Sequence, residues 1–271
     1  MRSLACPSAD EGIPRALAEM ADAPKILLID IETSPNLVWT WGLWKQNVAT
    51  NQIVDTSRMI CFAARWLGGK RKTQFYSIGL DGSQRHEMVS QAHRLLDEAD
   101  IVMGYNSAAF DLPYINRELL LEGFTPPSPY RQIDLLVTAR KQFRFPSNKL
   151  AHISEALGLK GKVEHEGFPL WTKCLAGDPD AWKRMEKYNK RDVTLLAELY
   201  HLLQPWIIAH PSYAAYLGRT VCPSCGSDKL MRRGYAYTAL SKYQQWCCMD
   251  CGRYCRSTHR DYGAEITSVV V

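Results

Sequence analysis

The chain has 271 residues, 46% hydrophobic and 23% charged, enough for one mid-sized domain and an appendage with a packed core, and this is not the composition of a disordered protein. No apolar run approaches the roughly 20 residues that span a bilayer, and MRSLACPSADEGIPRALAEM has no long apolar core after Arg2, so neither a membrane span nor a secretory signal is expected. The net charge of +5 sits mainly in the tail, which from Arg219 on holds 8 Lys/Arg against 4 Asp/Glu; this is weak support for a nucleic-acid partner.

Residues 1–23 read as a polar lead-in with a short helix around Ile13–Met20. Lys25–Ile31 is an apolar run that ends in an acidic pair, the pattern of a buried strand. Leu37–Trp44, Met59–Leu67 and Thr73–Ile78 are rich enough in aromatic and β-branched residues to be strands, with turns at Gly68-Gly69 and Asp81-Gly82. Gln84–Ala99 has helical spacing through Met88, Ala92, Leu95 and Leu96. Ile101–Gly104 is a short strand, and Asp111–Glu122 a helix that follows it. FTPPSPYR at 124–131 breaks the pattern, and a helix is expected over Ile133–Arg140. Asn148–Leu157 is a short amphipathic helix closed by Gly158. Asp178–Leu203 is the longest helix, with Asp178-Pro179 at its cap and first turn. Strands first, then alternating strand and helix, make an α/β domain over 24–210. Periodicity stops near His210–Gly218, so a separate module is expected over 211–271.

Acidic residues punctuate this domain. Asp30 and Glu32 lie in KILLIDIETSPN, Asp111 in VMGYNSAAFDLPYINREL, and Asp192 in KYNKRDVTLL, four residues after Tyr188. Alternate strand residues share a face, so Asp30 and Glu32 point to one side at the end of a buried strand, where chemistry in such sheets is usually placed. Tyr188 and Asp192, at i and i+4, share a helix face. Carboxylates that converge from separate segments are what hard divalent cations such as Mg²⁺ require, and two such ions can support an in-line phosphoryl displacement. Each piece also has an ordinary reading. A DxE at a strand end is common, Asp111 could cap its helix, and Tyr188 with Asp192 could be a solvated helix face. The ordered set, each member on a suitable element, favours the metal site.

The three segments resemble the three exonuclease motifs of the DnaQ-like 3′–5′ exonucleases, whose fold is RNase H-like: a mixed sheet flanked by helices. Tyr188 four residues before Asp192 is similar to the tyrosine (DEDDy) branch. NSAAFDLPYI is similar to the proofreading exonuclease of B-family DNA polymerases and to bacterial RNase H-like nucleases, and NKLAHISEALGLKGK resembles the segment between the second and third motifs. The resemblance covers about residues 25–205. It implies that Asp30, Glu32, Asp111 and Asp192 hold two Mg²⁺ or Mn²⁺ ions, with Asp30 bridging, and that Tyr188 positions the attacking water. It further implies that Thr33, Asn106 and Phe110 contact the terminal nucleotides. No polymerase motifs are present, so the expectation is a free-standing nuclease, or one working in trans, on a 3′ end, with single-stranded DNA as substrate. RNA, endonucleolytic cutting, and a non-catalytic adaptor acting through the tail remain the alternatives. A bacterial or phage-infected cytoplasm is the expected location.

Nine cysteines are present, six of them between Cys222 and Cys255; Cys6, Cys61 and Cys174 are scattered. An odd count with tight CxxC pairs points to metal thiolates in a reducing compartment. Cys222/Cys225 and Cys248/Cys251, each pair followed by glycine, have the spacing of a four-thiolate zinc site, a strong signal. The 22 residues between the pairs read as a hairpin. The segment resembles the zinc ribbons of transposases and nucleic-acid enzymes, so one structural Zn²⁺ is expected. Arg232, Arg233, Lys242, Arg253 and Arg256 alternate with Tyr235, Tyr237, Tyr243, Trp246 and Tyr254. Such a surface suits single-stranded nucleic acid, but the same residues would also pack and solubilise a ribbon that has little core; a protein partner is a third use.

Overall fold

The computed structural model describes residues 23–68, 72–159 and 166–265. The expected Ile13–Met20 helix, Cys6, Gly69 and the end of NKLAHISEALGLKGK fall outside them. The chain divides into two compact units, one of Lys25–Leu199 and one that takes in the chain from Tyr200 on.

The first unit is built on a five-stranded mixed sheet. Its strands are β1 (Ile26–Thr33), β4 (Met59–Trp66), β5 (Gln74–Ser77), β6 (Ile101–Gly104) and β7 (Arg131–Asp134), in the order β5-β4-β1-β6-β7. β1 runs antiparallel to β4 and parallel to β6, and β7 extends the parallel side. Ile26 to Ile29 are all buried, which is why β1 reads as an unbroken apolar run: a central strand covered on both faces has no polar face to alternate with. A small ribbon of β2 (Leu37–Val38) and β3 (Ile53–Asp55) stands apart from the sheet.

Helices cover the sheet. α1 (Arg85–Glu98) buries Met88, Val89, Ala92, Leu95 and Leu96, a single stripe at helical spacing, and packs on β5 and on α2 (Asp111–Leu121). Then come α3 (Leu135–Gln142), α4 (Leu150–Ala156), α5 (Phe168–Leu175) and the long α6 (Pro179–Leu203). Asp178 starts α6 as expected, its carboxylate accepting from the N–H groups of Asp180 (2.8 Å) and Ala181 (3.1 Å).

Two expectations need correction. The strand expected over Leu37–Trp44 is paired only at Leu37 and Val38, because β3 offers three residues and no further strand lies beside it. The helix expected from Ile133 begins at Leu135, since Arg131–Asp134 pairs with β6 as an edge strand in which Ile133 alone is buried. α5 has no counterpart among the expected elements.

The second unit holds α7 (Tyr213–Leu217), closed by Gly218 in the left-handed region, and a hairpin of β8 (Leu230–Tyr237) and β9 (Ser241–Cys248). β10 (Tyr254–Arg256) and β11 (Tyr262–Gly263) pair with successive stretches of β9. Cys222, Cys225 and Cys248 form a small buried cluster with Leu230 and Cys251 against them, and Tyr200, Leu203, Ile207, Tyr213 and Val221 are buried in the same unit. A buried polar network supplements them. Gln204 donates to the Tyr200 hydroxyl (2.8 Å) and to the Ser224 carbonyl (2.7 Å), and Tyr200 meets His210 at 2.7 Å. Burial pushes the His210 imidazole down to about 4.

Candidate active site

Three segments meet at a cavity of about 240 Å³ in the first unit, lined by Asp30, Ile31, Glu32, Tyr105, Phe110, Asp111, Leu150, Tyr188 and Asp192. Asp30 and Glu32 come from the last half of β1, paired with Ala63 and Cys61 of β4, and the ladder slips by one residue directly after Glu32. Asp111 opens α2. Its carboxylate does not cap that helix through the preceding residue; Oδ1 instead accepts the N–H of Ile31 at 3.0 Å, the peptide between the two β1 acids. One hydrogen bond thus ties the second acidic segment to the first across the parallel edge of the sheet. Tyr188 and Asp192 lie one turn apart on α6.

The loop between β6 and α2 is held from behind. Gly104 admits it: a Cβ there would sit 2.5 Å from the Ser107 Cβ. Asn106 takes φ 65°, and the Asp134 carboxylate accepts from the N–H groups of Asn106 (2.9 Å) and Ala108 (3.2 Å) while also capping α3 through Leu136. Tyr105 donates to the Asn148 carbonyl (2.6 Å), which fixes the approach to α4 and its Leu150. Asn189, wholly buried next to Tyr188, donates to both the Asp30 carboxylate (2.7 Å) and the Asp30 carbonyl (3.2 Å). Tyr188 packs edge-on against Trp171 of α5, with ring centroids 6.2 Å apart.

The structure therefore brings Asp30, Glu32, Asp111, Tyr188, Asp192 and Phe110 to one place. Thr33, beyond the register slip, and Asn106, whose backbone serves the loop, do not line the cavity. Asn189, Asp134, Tyr105 and Leu150 are site or supporting residues that the sequence did not single out. Only Asn189 carried a signal, its place beside Tyr188; the partners of the others lie too far away in sequence to be seen.

Asp111 and Asp192 are only 4% and 3% exposed, and among the described residues no lysine or arginine lines the cavity. Burial pushes the Asp111 carboxyl up to about 6, against the pull of the Ile31 N–H. Burial, with Asp192, Glu32 and Asp30 close by, likewise drives the Tyr188 hydroxyl well above its ordinary range. Clustered oxygen donors fit hard divalent ions. The cysteines suit a softer ion. Their sulfurs all lie within 4.8 Å of one another, with Cys222–Cys251 and Cys225–Cys248 both at 3.6 Å. A tetrahedron with Zn–S bonds of ~2.3 Å has edges of about 3.8 Å, so the four fit zinc.

A family model described as the RNase_H superfamily matches residues 54–204, more than half of the chain. The chain belongs to the RNase_H superfamily. The matched span holds Asp111, Tyr188 and Asp192 and begins after Asp30 and Glu32. Membership supports a nuclease, a class that works on nucleic acid with divalent metals. No curated protein matches the chain. Among solved structures, it is similar to the family B DNA polymerase from the hyperthermophilic archaeon Pyrobaculum calidifontis, with 14% identity and a TM-score of 0.49. That alignment covers 80% of this chain and 31% of the polymerase, so the chain spans less than a third of the polymerase's length. Among the described residues, no helix is long and apolar enough to cross a membrane.

Proposed function

We propose that this protein is a metal-dependent 3′–5′ exonuclease acting on single-stranded DNA, with its catalytic domain in residues 24–210 and a zinc ribbon in 211–271. The observation that carries the reading is the meeting of four carboxylates and Tyr188, from three separated segments, at one cavity. Asp30, Glu32, Asp111 and Asp192 would hold two Mg²⁺ or Mn²⁺ ions. Bound there, the ions offset phosphate charge and acidify water. The chain does the rest by position. Asn189 fixes the Asp30 carboxylate, the Ile31 N–H fixes that of Asp111, and Asp134 holds the loop that presents Phe110 to the last base. Tyr188 orients the water, and Thr33 and Asn106, outside the cavity lining, would meet the terminal nucleotides only beyond it. Water attacks the terminal phosphodiester, the 3′ oxygen of the penultimate nucleotide departs, and a nucleoside 5′-monophosphate is released. The four cysteines hold one structural Zn²⁺, and the basic, aromatic ribbon meets nucleic acid or a protein partner.

Cleavage of 3′-labelled, 5′-labelled and circular DNA and RNA in Mg²⁺, Mn²⁺ or EDTA tests this. Release of labelled mononucleotide from 3′-labelled DNA, abolished by EDTA, is the expected result. Cutting of the circles makes it an endonuclease, preference for RNA changes the substrate, and no cleavage of any substrate leaves an adaptor.

A further inference from the structure

Between β1 and β4 the chain leaves the sheet and exposes a dense group of aromatics. Trp39, Trp41 and Trp44 are 76%, 100% and 86% exposed, and Leu43 stands out beside them. Side chains of this kind leave water unless something requires them outside. The segment has a defined shape. β2 and β3 form its stalk, and Trp39 closes the neck, its N–H donating to the Gln52 carbonyl (2.9 Å) while the Gln52 side chain donates back to the Trp39 carbonyl (3.0 Å). Thr40 and Gln46 each bond to a carbonyl within the head, those of Gly42 and Trp44.

The root of this stalk is connected to the cavity lining through Tyr114 and Phe110. Its two ends, Asn36 and Ser57, are joined by the Ser57 N–H donating to the Asn36 side chain at 2.7 Å. The Tyr114 hydroxyl donates to the Ser57 hydroxyl (3.2 Å), and Arg117 donates to the Ser57 carbonyl (2.5 Å) while lying over the Tyr114 ring. Tyr114 packs on Phe110, a cavity-lining residue, with centroids 4.9 Å apart. An aromatic path thus runs from the cavity through Phe110 and Tyr114 to the root that carries the tryptophans. From Leu37 to Asp55 there is one lysine, Lys45, and one carboxylate, that of Asp55 at the foot of the stalk, which pairs with Arg58 at 3.5 Å.

We propose that this aromatic head is a stacking platform for the unpaired strand behind the nucleotide in the cavity, a role that rests on the nuclease reading above. Trp39, Trp41 and Trp44 offer ring faces to successive bases whatever their sequence, and base pairing in a duplex would hide those faces. The substrate class is therefore a single strand several nucleotides long. A second copy of this chain or a protein partner would need apolar area opposite the head, whereas a strand that leaves the cavity past Phe110 and Tyr114 would come to its root.

The test is binding of fluorescent single strands, from dinucleotides to about 12 nucleotides, measured in EDTA so that nothing is cut. Stacking contributes roughly 1–3 kcal/mol per base on alanine substitution, about 5- to 150-fold in affinity. Wild-type affinity should rise with length, and the W39A/W41A/W44A variant should lose at least tenfold (about 1.4 kcal/mol) on the longest strand, so that the rise is flattened. The triple phenylalanine variant should recover most of it. The proposal is overturned if the alanine variant keeps the wild-type length dependence or weakens blunt duplex equally. It is also overturned if wild type sediments as a dimer that the substitutions dissociate. Cleavage is scored separately: Trp-dependent binding without any cleavage defeats the nuclease reading alone, and cleavage with Trp-independent binding defeats this proposal alone.

Discussion

The carboxylate cavity and the four-cysteine cluster are both arrangements of four acidic donors, and they are built in opposite ways. The cysteines come as two short knuckles whose spacing alone nearly closes the site, and they form a small buried cluster of their own in the unit that holds them. The carboxylates arrive from the end of a central strand, the first turn of one helix and the middle of another, positioned by a core that does not need them. Soft, local ligands tie metal to folding, whereas hard ligands gathered from far apart cost their fold stability and give chemistry in return. The two sites should therefore respond with opposite sign to the loss of a ligand.

The largest effect is expected at the cysteines. Free energies for structural zinc in small modules run at about 10–16 kcal/mol, more than the few side chains packed against the cysteines replace. Cys222→Ser together with Cys225→Ser should remove the zinc and unfold the chain beyond Tyr200, while Lys25–Leu199 keeps its structure on its own core. Elemental analysis should find one zinc per wild-type chain and none in the variant. Limited proteolysis should then cut only the second unit. Zinc retained by the variant, or a second unit that resists proteolysis without it, breaks the comparison.

At the carboxylates the sign reverses. Asp30→Ala removes one of the proposed metal ligands and should lower cleavage by at least about 10³-fold, the several kcal/mol that metal ions contribute to a phosphoryl transition state. In metal-free buffer its Tm should equal or exceed that of wild type, because a carboxylate crowded by Glu32 has gone and Asn189 still has the Asp30 carbonyl to bond. Paired activity and melting curves decide it. An active variant, or one that is inactive only because it has unfolded, would falsify the two-ion reading.

This difference in construction also governs what could be read from sequence. The CxxC pairs announce themselves because ligand and spacing are both local. Asp30, Glu32, Asp111, Tyr188 and Asp192 are each commonplace, and became informative only as an ordered set on suitable elements. The apolar run of β1 and the stripe of α1 were legible because burial on two faces or on one leaves a period. β7 was not, since a four-residue edge strand with Ile133 as its one buried side chain has no period to show. For the same reason the tryptophans of 37–44 read as a strand: aromatic content signals β structure only where a partner strand exists. Asp134 and Asn189 work on backbone and carboxylate groups 26 to 159 residues away, and no local pattern encodes that.

The smallest of the three effects sharpens what the cavity does beyond gathering charge. Tyr188 is nearly buried, lines the cavity one turn from Asp192, and rests its ring edge against Trp171. Tyr188→Phe keeps that ring contact and deletes only the hydroxyl, so the fold and the carboxylates should stay in place. Positioning or acid–base roles are worth roughly 10²–10⁴-fold, and the low end applies here because acidifying the water falls to the bound ions and aiming it to the hydroxyl. The loss, about 10²-fold, should fall on kcat with KM nearly unchanged, since the deleted group addresses the attacking water and not the bases of the bound strand. Single-turnover rates beside equilibrium binding in EDTA separate the two. A loss carried by binding would make Tyr188 a substrate contact, and wild-type turnover would leave it a packing residue in a site whose chemistry rests on the carboxylates alone.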